Sequence, residues 1–72
     1  MDHYSDFILQ LLRQEYTIKG KREVVIEFPV EKRELRTEVG KTLERNGYIL
    51  CYDLFGKTNF RCTLTERALN DN

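Results

Sequence analysis

The stretch YILCYDLFGKTNFRCTL, residues 48 to 64, constrains the fold more than any other part of the chain. Two runs rich in aromatic, β-branched and aliphatic residues flank a short glycine-containing turn, the signature of a β-hairpin. With Gly56, Lys57 and Thr58 as the loop, Leu54 faces Phe60, Tyr52 faces Cys62 and Leu50 faces Leu64. Every pair on that side is apolar. On the other side Asp53 meets Arg61, Cys51 meets Thr63 and Ile49 meets Thr65. A slip of one residue would scramble both faces, so the pattern specifies the register. Cys51 and Cys62 then point to opposite faces, and no disulfide between them is expected.

Upstream, Tyr4, Phe7, Ile8, Leu11 and Leu12 recur at the helical period, with Asp2 or Ser5 as the cap. The polar run from Thr17 through Gly20 to Arg22 ends that helix. EVVIEFP then alternates, placing Val24, Ile26 and Phe28 on one face and Glu23, Val25 and Glu27 on the other, until Pro29 stops the strand. Val30 to Asn46 is helical again, with Leu35, Val39 and Leu43 as its stripe and Asn46-Gly47 as a left-handed stop. Gly40 costs about 1 kcal/mol relative to alanine inside a helix. Close approach to the sheet or to another chain would offset it. The expected architecture is a single α+β domain over residues 1–72, helix-strand-helix-hairpin, with residues 67–72 frayed. Its three-stranded sheet carries the helices on one face. The first strand is free to join the second in parallel or the third in antiparallel fashion.

In this arrangement the outer face keeps Val25, Ile49, Cys51 and Phe55, an apolar surface that a homodimer would bury. A chain of 72 residues has a marginal core, which a partner chain would also help. These four residues are the expected dimer interface.

Charge excludes little and chemistry offers less. Twelve basic and twelve acidic residues cancel, so no net field draws the chain to nucleic acid or anionic lipid. The run FILQLLRQEY is interrupted by Gln10 and Arg13 and lacks a basic flank, so neither a signal peptide nor a membrane span is expected. Two cysteines without an export signal fit reduced thiols in a cytoplasmic protein. A lone histidine, His3, and two cysteines fall short of a zinc site, and no catalytic residues, metal or cofactor are expected. FGKT resembles the end of a phosphate-binding loop, but the preceding glycine is missing and no helix follows. Glu23 and Glu27 flank Val25 on one strand face and read as solvated charges.

Nucleic-acid binding is the main alternative. Arg33, Arg36 and Lys41 lie on the second helix and Lys57 at the hairpin tip, the arrangement a winged helix uses on DNA. LERNGYI followed by a hairpin and LTERAL resembles the end of such a module. The chain departs from it in having one helix between the first strand and the hairpin, where that family has two. Glu31, Glu34, Glu38 and Glu44 also interleave with the basic residues and would repel phosphates. A dimeric transcriptional regulator is the function this resemblance implies.

Two further resemblances cover more of the chain. The order helix, VVIEFP, EKRELRTEVGKTLERNGYI and hairpin, about residues 2 to 65, looks like the amino-terminal domain of small-subunit ribosomal protein eight. The principal RNA-reading residues of that family lie in a second domain outside the matched stretch, so no site residue carries over. Length, VVIEFPVEKRELR and the hairpin together resemble the YopT-like family of small Bacillus prophage proteins. That resemblance implies a cytoplasmic homodimer from a phage or prophage genome and supplies no activity. The function expected is a non-enzymatic homodimeric binding module for a host or phage macromolecule.

Overall fold

Asp2 starts the first helix by turning its carboxylate back on it. Oδ1 accepts the Ser5 N–H at 2.8 Å and Oδ2 accepts the Ser5 hydroxyl at 3.0 Å. In the computed structural model, which describes residues 1–70, this helix, α1, runs His3–Lys19 and ends at Gly20 with φ +70°. Its buried stripe is Ser5, Ile8, Leu9 and Leu12, the i, i+3, i+4, i+7 set that faces one way on a helix. Phe7, expected in the stripe, is 48% exposed and leans against Tyr4 with ring centroids 6.0 Å apart. Leu9 takes its place.

Strand β1 (Glu23–Glu27) alternates as its residue types require: Val24 and Ile26 are buried, followed by Phe28, while Glu23, Val25 and Glu27 are exposed. After Pro29, helix α2 spans Arg33–Arg45 and starts three residues later than the apolar pattern suggested. Val39 and Leu43 are buried and Leu35 is half-buried. At its end the Tyr48 N–H reaches Leu43 O at 2.9 Å and the Gly47 N–H reaches Glu44 O at 3.0 Å. With Gly47 at φ +80°, this is a Schellman closure. Gly40 lies under Tyr52, and a Cβ there would meet the ring carbons at 2.6–2.7 Å. The glycine is therefore explained by close approach to the sheet.

The hairpin consists of β2 (Ile49–Phe55) and β3 (Asn59–Leu64) around Gly56, Lys57 and Thr58. β1 joins β3 antiparallel, which resolves the strand position and gives the order β1-β3-β2. Near the turn the register is as the sequence indicates: Leu54 opposes Phe60, Asp53 opposes Arg61 and Tyr52 opposes Cys62. Beyond Tyr52 it shifts. Ile49, not Leu50, opposes Leu64, and the irregularity between Ile49 and Tyr52 leaves Leu50 and Cys51 as one residue too many. The turn sets the register from one end. The α2 closure sets it from the other, through Tyr48 O accepting the Thr65 N–H at 3.1 Å and Gly47 O accepting the Thr65 hydroxyl at 2.6 Å. The bulge absorbs the mismatch.

Residues 66–70, of which 67–70 were expected to fray, form a short helix, α3 (Glu66–Asn70). The Thr65 hydroxyl accepts the Ala68 N–H at 3.3 Å, Ala68 is buried, and the Arg13 Nε–H donates to Ala68 O at 2.7 Å. Residues 71–72 of that expectation lie outside the described residues. The core fills the space between the helices and the inner sheet face. Phe60 sits at its centre with Phe28 at 5.4 Å and Tyr52 stacked at 5.6 Å, almost parallel.

Candidate functional site

The sheet face that the helices leave uncovered is built from the odd-numbered residues of β1 and β3 and the outward positions of β2. Val25, Arg61 and Asp53 are neighbours across its middle, and Glu27, Asn59 and Phe55 form the next row. Arg61 ion-pairs with Asp53 and places its guanidinium 5.2 Å from the centre of the Phe55 ring. Both contacts are exposed, so the pair is worth little on its own. It orders the centre of the face and partly shields Phe55.

Of the four expected interface residues, Val25 and Phe55 stand on this face, 40% and 41% exposed, and Cys51 is exposed beside them. Ile49 does not. The bulge turns it inward, where it is 2% exposed in the core. Leu50 comes out in exchange and, at 66% exposure, is the largest apolar side chain the bulge releases. No residue type in ILCYDLF marks the bulge, because both Ile49 and Leu50 suit either environment. The signal lay outside the strand, in the helix stop at Gly47 and the cap at Thr65.

The basic set divides in the same way. Arg33, Lys41 and Lys57 are exposed on α2 and the hairpin tip. Arg36, expected to reach nucleic acid, is 2% exposed. Its guanidinium donates to Asn59 O at 2.7 Å, Phe55 O at 3.2 Å and Gly56 O at 3.4 Å, fastening α2 to the hairpin turn. No carboxylate lies within ion-pair distance of it among the described residues. Three carbonyl dipoles replace water around its two terminal nitrogens, a task suited to a planar fork of donors, while the buried Nε has no partner among the described residues. Periodicity could have found this residue, since Arg36 falls on the Val39–Leu43 side of α2.

The thiols differ as burial dictates. Cys62 lies in the core, and burial, with Cys51 nearby, pushes its pKa up to about 12. Cys51 is exposed and both are free. Burial also raises the Tyr4 phenol. Among the described residues no three His, Cys, Asp or Glu side chains converge as a metal site requires. No helix among them is long and apolar enough to cross a membrane. Comparison of the chain with protein-family models, with curated proteins and with solved structures found no match in any of the three.

Proposed function

We propose that this protein is a non-enzymatic binding module that pairs with a second copy of itself through the outer sheet face. The observation that carries the reading is the exposure of Leu50, Phe55 and Val25 on the side of the sheet that the helices of the described residues leave uncovered. Cys51 and Thr63 extend this surface at the bulge. Apolar groups left in water on a chain this small favour association, each aliphatic side chain buried contributing about 1.5–3 kcal/mol. The likeness to small prophage proteins implies a homodimer and points the same way. In this reading the dimer works in a cytoplasm that keeps Cys51 reduced, and it engages a host or phage macromolecule.

Leu50→Glu and Phe55→Glu are the variants that test it. Both side chains are exposed in the single chain, so the fold survives the charge, and sedimentation velocity should show monomer where the parent protein shows dimer. Parent and variants sedimenting alike would refute the assignment. Ile49→Glu cannot serve here, because burying a carboxylate in the core unfolds the chain whatever its assembly.

A second reading, a DNA-binding regulator, is favoured by one observation. Arg36 ties α2 to the hairpin turn, which holds the exposed Arg33 and Lys41 in fixed relation to Lys57. It predicts salt-dependent retention of duplex DNA that a Lys57→Glu variant loses. No retention at low salt disposes of it.

A further inference from the structure

Among the described residues strand β1 pairs with β3 alone, so its other edge carries no strand. Arg22 O accepts the Leu64 N–H at 2.9 Å and the Phe28 N–H reaches Thr58 O at 2.8 Å. The even-numbered residues between these two bonds aim their backbone groups at β3. Glu23, Val25 and Glu27 therefore direct N–H and C=O away from the sheet, by the alternation of an antiparallel ladder. Such a row of unpaired groups templates a further strand.

Beside this edge, α1 leaves a groove of about 400 Å³ lined by Leu11, Glu15, Ile18, Val25, Ile26 and Glu27. Its apolar wall is incomplete without an occupant: Ile18, on the last turn of α1, is 75% exposed. Its charged lining, Glu15 and Glu27, is acidic. Of the nearest cations in sequence, Lys19 closes α1 and Lys21 lies in the connection to β1, both at the Glu23 end of the strand and away from Glu27, and Arg22 is held by Glu66. A second copy fits poorly. Two β1 strands paired about Val25, with all five residues engaged, would set each Glu23 against a Glu27, like charges directly opposed.

We propose that the α1–β1 groove receives an extended segment of a partner protein as a fourth strand, with a lysine or arginine at the Glu15–Glu27 end and aliphatic residues against Val25, Ile18 and Ile26. The added strand pairs its backbone with Glu23, Val25 and Glu27 and sends alternate side chains to the outer face and into the groove. Docking here uses the β1 edge and does not require self-association through the outer face.

The test is a titration of the full-length protein, labelled with nitrogen-15, with the acetylated, amidated peptide Thr-Lys-Val-Ile-Val-Thr. Amide exchange is read in the free and peptide-bound protein. The Val25 and Glu27 amides should exchange quickly in the free protein and slow by about tenfold or more with peptide, while Val24 and Ile26 stay protected in both. A peptide with glutamate for its lysine, or one N-methylated at alternate residues, should not bind. Ile18→Ser and Glu27→Lys, both at exposed positions, should each weaken binding by about tenfold, as the loss of one aliphatic or charged contact does. The proposal is overturned if millimolar peptide shifts no resonance or if the glutamate peptide binds equally well. It is equally overturned if Val25 and Glu27 are already protected in the free protein, because a second copy then holds the edge. A parent dimer that Leu50→Glu dissociates, with no peptide binding, would leave the outer-face reading standing and remove this one alone.

Discussion

Arg36 and Cys62 are polar groups in an apolar interior, and each is accommodated differently. Arg36 meets three turn carbonyls, so Arg36→Met leaves those acceptors to water and releases the hairpin from α2. A loss of about 2 kcal/mol is expected, read as a lowered urea midpoint. Arg36→Lys should recover only part of it, because one ammonium cannot span the fork. Cys62 stays protonated: with its pKa at about 12, only about one thiol in ten thousand is ionised at pH 8. In the Leu50→Glu variant, where the outer face is free of a second copy, an alkylating reagent at that pH should label Cys51 alone under native conditions and both cysteines in denaturant. Two labels under native conditions would show that the core opens readily. At the start of α1, the Ser5 N–H holds the Asp2 carboxyl below its ordinary range. A depressed carboxylate stabilises the fold above its unfolded pKa and loses that contribution as pH falls through the folded value. Loss of this helix cap in Asp2→Ala should cost about 1 kcal/mol at neutral pH, and the difference from the parent should narrow in acid.

At the scale of elements, Gly40 and Tyr52 form a couple. Alanine at position 40 would gain about 1 kcal/mol of helix propensity. It would also push into a ring stacked on Phe60, which has little room to yield. Gly40→Ala should lower the thermal midpoint of the parent protein and raise that of a Tyr52→Ala variant, a reversal of sign that differential scanning fluorimetry can read. The elements themselves were legible because helix and strand periods differ. EVVIEFP alternates without ambiguity, Gly20 and Gly47 mark the ends of helices, and the pairing of Leu54 with Phe60 fixes the hairpin near its turn. What escaped was set by contacts between elements. The bulge that exchanges Ile49 for Leu50 arises from a helix closure and the Thr65 hydroxyl, neither of which lies in the strand. The short helix at Glu66–Asn70 depends on Ala68 packing and on Arg13, fifty-five positions earlier. Arg36 looked like a surface cation because arginines usually are, although its position on the buried stripe said otherwise.

At the scale of the molecule, three helices among the described residues close the inner side of the sheet and leave its outer side open. The candidate site was half legible. Alternation alone puts Val25, Cys51 and Phe55 on the outer face, while Leu50 owes its exposure to the bulge. The outer face is mixed: the Arg61–Asp53 pair crosses its middle, with apolar groups to either side. Salt should screen that exposed pair and leave the apolar contact untouched or strengthened, so high salt should not dissociate a dimer built on this face. An assembly held by surface charge would behave in the opposite way. The most direct measurement is the mass of the parent protein by sedimentation equilibrium over a range of concentrations. A homodimer gives convergence on twice the 8.6 kDa of the chain. A mass that stays at 8.6 kDa up to the highest concentration would contradict it.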